Sequence, residues 1–519
     1  MRYDSASFRE YTAKGQEATA DPRNRTSGNG ENVMKISQFT LLLGLAMAVP
    51  VGLAQPDYLD GASPLAPAPP DPAIVRALKT ITPAHIDQTI KTLVSFGTRN
   101  TLSSMDAGLP AGQGINAAAD WIYGQFEAIS RGCGGCLEVR RDVFTVDPTR
   151  SGQWAKRIPR PTRITNVYAI LRGTDPAQVD RMVLVTGHYD SINSNAFSNW
   201  ADSSGAAPGA NDDASGVAVS LECARVLSKL HFPATIVFVA VAGEEEGLVG
   251  SAHLAKLAHD EGWHLEAVLD NDIVGGNTTP GDTLQMKDRV RVFSEGIPLA
   301  ATPTEIQRIR ALGNENDSAS RELARAIADV GRTYFPASGP AHLRAFLVDR
   351  QDRYHRGGDH TSFNREGFAA VRFTEWREDY NHQHQNVVIP PAGSGKPILG
   401  DLPRFVDYRY VARVARLNAA TLATLASAPG VPVQLMLENK KVENSSTLTW
   451  DPPAGAPADS HYEVLWRETT APDWQFVKVV KPQAQGTELS VNLPISKDNV
   501  IFGVRAVDAA GHRGLVAVP

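Results

Sequence analysis

This chain has little cysteine, few aromatic residues, no strong charge of either sign and no apolar run of bilayer length. Three cysteines in 519 residues cannot build a disulfide framework. Cys133 and Cys136 form a Cys-Gly-Gly-Cys step, but a zinc knuckle needs a second pair and only Cys223 remains. A catalytic redox pair would want a thioredoxin-like setting that the flanking sequence lacks. The step reads as a local loop-closing disulfide in an oxidising compartment. Cys223, on the apolar face of an expected helix, reads as a buried free thiol. A formal charge of −6, from 51 basic and 57 acidic residues, offers no basic face for nucleic acid. With 42% hydrophobic and 21% charged residues the composition is that of a globular chain, which excludes extensive disorder.

The longest apolar run, from Phe39 to Ala54, falls short of the roughly 20 residues a membrane-spanning helix needs. It follows Met34-Lys35 and ends in small residues, the pattern of a secretory signal peptide over residues 34–54 with cleavage near Ala54. Residues 1–33 are polar and precede a plausible initiator methionine, so they read as a misassigned extension, and the mature product is expected to be secreted or periplasmic. An uncleaved anchor is the alternative. Residues 55–72, rich in Pro and Ala, read as an extended linker.

From 73 to 427 the pattern alternates helix and strand, which predicts an α/β domain with a mostly parallel central sheet flanked by helices. The segment from Met286 to Gly358 is less regular and is expected to wall a cleft. Composition changes at Ala428-Pro429-Gly430. Short alternating strands then follow over 428–519, the pattern of a small all-β sandwich. Trp450-Asp451-Pro452-Pro453 and the strand from Tyr462 to Trp466 resemble a fibronectin type III domain. Such a module serves either to tether a protein to a surface or polymer or as a passive spacer.

Inside the α/β region, acidic and histidine residues recur just after short apolar runs. His188 and Asp190 follow Met182 to Val185, Glu244 and Glu245 follow Ile236 to Val241, Asp272 follows Ala267 to Leu269, and His382 lies beyond Ala369 to Phe373. Such runs read as buried parallel strands, and ligands in open α/β sheets gather outside their carboxyl ends. Imidazole and carboxylate groups delivered there suggest a hydrolytic metal site. Taken singly, each element has a bland reading. His188-x-Asp190 could be a satisfied surface pair, Asp212-Asp213 could be helix-start acids, and Glu244-Glu245-Glu246 a solvated turn. Three like charges straight after a buried strand, however, are costly without a cation.

Gly187-His188-Tyr189-Asp190-Ser191, Ala207 to Gly216 and Gly243 to Ser251 together resemble the di-zinc aminopeptidase family, whose relatives include glutamate carboxypeptidase and the transferrin receptor ectodomain. Asn271 to Gly275 and Asp359 to Phe363 extend the resemblance. It implies two zinc ions bridged by Asp212, with His188 and Asp272 completing one and Glu245 and a late histidine the other. It further implies that Glu244 is the general base, that Asp190 orients His188 and that the Asp212–Asp213 peptide is cis. Asp359-His360 would shape the site without binding metal. The late histidine is His382 or His384. The family places an acid or amide four residues after its ligand, which selects His382 through Asn386.

The resemblance implies an exported aminopeptidase that takes peptides or proteins with a free N-terminus. A carboxypeptidase or dipeptidase, a mono-zinc glutaminyl-cyclase-like transferase and a non-catalytic receptor are rivals on the same scaffold. The last should have lost ligands, and this chain keeps the full set.

Overall fold

The computed structural model describes residues 56–519 apart from 60, 149–156 and 483–487. The expected signal peptide and the segment before it lie outside the described residues. Among those described, no helix is long and apolar enough to cross a membrane.

A two-residue strand, Ser63–Pro64 (β1), precedes the α/β region. Eight strands then build one sheet: β2 (Leu137–Val146), β3 (Thr162–Leu171), β4 (Arg181–Thr186), β5 (Thr235–Ala240), β6 (His264–Asn271), β7 (Arg289–Ser294), β8 (Arg344–Val348) and β9 (Ala370–Thr374). Their order is β2-β3-β5-β4-β6-β9-β7-β8. The core of the sheet is parallel: β5, β4, β6 and β9 run the same way. The flanks are not. β2 and β3 attach antiparallel on one side, and β7 pairs antiparallel with β9 on the other. The irregular stretch from Met286 to Gly358 supplies β7, the edge strand β8 and two helices, Pro303–Leu312 and Ala319–Tyr334.

The central strands are buried on both faces, which is why they read as unbroken apolar runs. Val183, Leu184 and Val185 of β4 and every residue of β5 are buried. Helices Ala214–Leu227 and Tyr408–Ser427 share the larger core with this sheet, and the smaller core lies under Val249–Asp260. Each fully buried Val, Leu or Ile contributes about 1.5–3 kcal/mol through removal from water, so the strand ends that carry the site rest on a rigid base.

The C-terminal region forms two sheets, from β10 (Val433–Leu437), β11 (Ser446–Asp451), β12 (His461–Glu468), β13 (Phe476–Val480), β14 (Leu489–Leu493) and β15 (Val500–Val507). Trp450, Tyr462, Trp466, Leu489 and Phe502 fill one core between them. The Pro/Ala-rich segment is not a free linker at its start. β1 pairs with β13, and the Trp466 indole donates to the Tyr58 carbonyl at 3.0 Å. The sandwich is fastened to the α/β region by buried polar contacts on the Ala319–Tyr334 helix: Trp474 Nε1 donates to Glu322 at 2.8 Å and Arg505 pairs with Asp329 at 3.0 Å.

Cys133 and Cys136 are disulfide-bonded, and Cys223 is free and buried.

Candidate metal centre

The sheet delivers the site from the carboxyl ends of three adjacent parallel strands. His188 lies just past β4, Glu244 and Glu245 just past β5 and Asp272 directly after β6. The loop before helix Ala214–Leu227 brings Asp212 over the same edge. Gly216, in the first turn of that helix, packs so closely on the end of β6 that a Cβ would collide with the Asn271 carbonyl oxygen.

Asp212 is the centre of the arrangement. Its Oδ1 stands 3.0 Å from His188 Nε2, and its Oδ2 stands 2.8 Å from His384 Nε2. On one side Asp272 Oδ1 is 3.8 Å from His188 Nε2, and on the other Glu245 Oε1 is 2.9 Å from His384 Nε2. Two triads result, His188-Asp212-Asp272 and Asp212-Glu245-His384, sharing one carboxylate. In each, the ligand atoms converge within 4.8 Å. Ligands about 2.0–2.1 Å from one tetrahedral ion would be about 3.3 Å apart, within the observed range. His188 Nε2, His384 Nε2 and Glu245 Oε1 are all buried without a hydrogen-bond partner. Three orphaned polar atoms aimed at common points are costly unless a cation joins them. The mixed imidazole and carboxylate donors suit zinc.

Electrostatics point the same way. Burial works to lower the pKa of both histidines, yet the carboxylates of Asp190, Asp212 and Asp272 hold His188 well above its ordinary range, and Glu245 and Asp212 do the same for His384. Burial pushes the Glu244 carboxyl well above the usual range, with Asp272, Glu245 and Asp359 adding to the effect and His188 opposing it. The residue keeps partial exposure to solvent.

The second acid of the Asp212-Asp213 pair serves the backbone. Asp213 accepts from the amides of His188 at 3.1 Å, Gly216 at 2.8 Å and Ile273 at 3.3 Å, so one carboxyl group ties three site loops together. The peptide between the two residues is cis. Asp190 meets His188 Nδ1 through its backbone carbonyl at 3.2 Å, with its carboxylate 3.5 Å away. That carboxylate also accepts from the amides of Glu244 at 3.3 Å and Glu245 at 3.2 Å, fixing the turn that presents both. His360 faces Asp270 and the Gln351 carbonyl, outside both triads.

The structure brings His384, not the expected His382, to Asp212 and Glu245. His382 stacks on Phe405 with ring centroids 3.5 Å apart, and its Nδ1 faces Asn277 Oδ1 at 3.2 Å. Asn386, the residue that set the register, instead binds Asn195 at 2.9 Å on the neighbouring short helix, Ser194–Ser198. His384 reaches Asp212 because its backbone turns through the left-handed region at φ 55°, a conformation that costs a non-glycine residue about 1–2 kcal/mol. Gln383 joins it, donating to Asp212 Oδ2 at 2.8 Å. Replacing His384 with Ala is expected to lower zinc per chain, whereas the same change at His382 should leave it intact. Elemental analysis after gel filtration would show this, and the reverse pattern would return the ligand to His382.

Sequence reading missed two supports. Arg99, almost fully buried, donates to the carbonyls of Tyr189, Pro208 and Gly209 at 2.6–2.8 Å, and burial brings its pKa down to about 10. Asp401 accepts from the amides of Asn211 at 2.8 Å and Asp212 at 2.7 Å. Neither has a local motif, since each acts across more than 85 residues of chain.

The model of "Peptidase family M28" matches residues 166–388, a span that contains both triads and Glu244. A Pyricularia oryzae protein named "Probable zinc metalloprotease" is 44% identical over 87% of this chain and 85% of its own length. One of the same name from Pyrenophora teres is 37% identical over 92% and 95%. Among solved structures, the LapA aminopeptidase of Legionella pneumophila aligns with a TM-score of 0.44 at 20% identity, covering 68% of this chain and 74% of its own. The family match lies over the strand ends that carry the site, and the relatives align along nearly the whole chain: this protein belongs to peptidase family M28.

Proposed function

We propose that the protein is an exported, zinc-dependent exopeptidase that removes residues from the free N-terminus of peptides. The observation that carries this reading is the pair of triads sharing Asp212, with orphaned nitrogens and oxygens aimed at two common points. The relatives named as zinc metalloproteases support zinc as the ion. His188, Asp212 and Asp272 would hold one zinc, and Asp212, Glu245 and His384 the other. Zinc bound there supplies Lewis acidity toward the scissile carbonyl and acidifies water for attack at neutral pH.

The chain's own residues do the rest. Glu244, presented by a turn that Asp190 pins, takes a proton from the attacking water and returns it to the departing amine. Its desolvated setting favours the protonated form once the proton has arrived. Asp190 keeps the His188 ring in one orientation, so Nε2 stays aimed at the site. Phe197 is 55% exposed and its ring lies 5.6 Å from that of His384, with Trp200 a further 5.7 Å from Phe197. Exposed beside His384, the Phe197 ring would offer an apolar surface to a substrate side chain.

Export is supported by the Cys133–Cys136 disulfide, a bond that persists in oxidising compartments. The sandwich, if it acts as a tether, would hold the catalytic region near a surface or polymer, and its fastening to the Ala319–Tyr334 helix keeps the two in one orientation.

A panel of matched peptides with free and acetylated amines tests the N-terminal specificity. Turnover should vanish when the amine is blocked. Equal cleavage of both members of each pair would reject an aminopeptidase, and release from the carboxyl end would reassign the enzyme as a carboxypeptidase.

A further inference from the structure

We propose that Arg372 is a positioning residue for Asp272: it takes one of the two carboxylate oxygens and leaves the other for metal, and so sets how firmly an ion is held at the His188 corner. The proposal rests on the two-zinc reading above and adds a residue to it.

Arg372 lies in β9, where it pairs in register with Asp270 of β6. Side chains two apart along a strand share a face, so Asp272, just beyond the end of β6, is brought to the same side as Arg372. The guanidinium has no solvent exposure. A buried charge of this kind persists only if it is paired and hydrogen-bonded. Its Nη1 lies 2.7 Å from Asp272 Oδ2, while Asp272 Oδ1 is the oxygen facing His188 Nε2 at 3.8 Å. The two oxygens of one carboxylate are thus divided between a fixed cation and the metal position. Nη2 also donates to the Asp272 carbonyl at 3.4 Å, so the arginine grips both the side chain and the backbone of the candidate ligand.

The surroundings are shaped to hold the arginine still. Nη1 donates to the Gly357 carbonyl at 3.0 Å and lies 3.5 Å from Asp352 Oδ2. Asp352 is in turn bound by Arg353 at 2.9 Å, and Arg353 meets Glu378 at 3.0 Å. Glu378 also pairs with Arg291 at 3.1 Å and Arg356 at 2.7 Å. Alternating charges therefore run from a candidate ligand to the protein surface. Gly358 belongs to the same fit, because a Cβ there would collide with Arg372 Nη1. Among the described residues the shared carboxylate of Asp212 has no arginine paired with it: its side-chain contact besides the imidazoles is the neutral amide of Gln383. Asp272 belongs to the His188 triad alone, so Arg372 bears on that metal position.

An arginine that merely neutralised buried acid would be replaceable by lysine. One that orients Asp272 needs the planar fork. The test is zinc retention by folded protein dialysed against graded chelator, for wild type, Arg372→Met, Arg372→Lys and Gly358→Ala, with thermal unfolding of each zinc-free form as a check on folding. Outer partners of ligands typically govern metal affinity by about 10–100-fold. Arg372→Met is expected to give up one of its two zinc ions at about 10–100-fold weaker chelation while keeping the other as wild type does. Arg372→Lys and Gly358→Ala should show the same selective loss to a smaller degree. If Arg372→Met does not fold, the other two variants decide. Wild-type retention of both ions in Arg372→Lys and Gly358→Ala, or in a folded Arg372→Met, overturns the proposal. A wild-type protein that never holds more than one ion would instead sink the two-zinc reading, and this proposal with it.

Discussion

Glu244→Gln is expected to lower peptide turnover by about 10²–10⁴-fold, the range spanned by loss of a general acid–base group, while zinc content stays at the wild-type value. Gln keeps the size of the side chain and cannot accept the proton. The backbone around it should not move, since the amides of Glu244 and Glu245 remain bound to the Asp190 carboxylate. Glu244 belongs to neither triad, so all the metal-facing atoms are spared. A loss confined to kcat, with KM little changed, would match removal of an interaction made only in the transition state. Full activity would remove Glu244 from the chemistry. A fall in zinc content would instead make it a ligand.

Asp212→Ala should have the other large effect, and its signature is metal. One carboxylate faces both imidazoles, Oδ1 toward His188 and Oδ2 toward His384. Losing it opens both triads at once, so both zinc ions and essentially all turnover should go. Substitution of Glu245 or Asp272 opens only one. A ligand that binds only the folded state stabilises it, by about 2.7 kcal/mol when present at one hundred times its Kd. Wild-type Tm should therefore rise with added zinc, and the Tm of Asp212→Ala should not respond. A zinc-dependent rise in Asp212→Ala equal to that of wild type would show that Asp212 bridges nothing.

The parts of the fold legible in the sequence were those with strong local periodicity. Helices Gly114–Gly132, Ala214–Leu227 and Tyr408–Ser427 carry apolar stripes at helical spacing, and the central strands are apolar without interruption because both faces are covered. Two features escaped. The last two strands of the sheet, β7 and β8, have one face only partly covered and mixed composition, Arg289-Val290-Arg291 and Arg344-Ala345-Phe346, so their periodicity is weak. The start of the Pro/Ala-rich segment looked like free chain because its partner, β13, lies more than 400 residues away.

The choice between His382 and His384 shows the same divide at the level of one side chain. Both histidines sit within three residues of each other in a polar loop with no periodicity to orient them. The outcome depends on Phe405, which stacks on the first, and on a positive φ, which swings the second toward Asp212. Phe405 lies outside the loop, and a histidine carries no local signal for a positive φ.

By itself the sequence determined that an α/β sheet would form and that His188, Glu244, Glu245 and Asp272 would follow its buried strands; that Asp212 joins them was implied only by the family resemblance. Unbroken apolar runs mark strands buried on both faces, and residues that follow such parallel strands share one edge of the sheet. Only the tertiary structure decided which histidine completes the second triad and which oxygen of Asp272 is free. It also showed that Arg99 and Asp401 bind the backbone of the site loops. Those outcomes rest on contacts between distant segments, and their distances and angles arise only once the chain has packed.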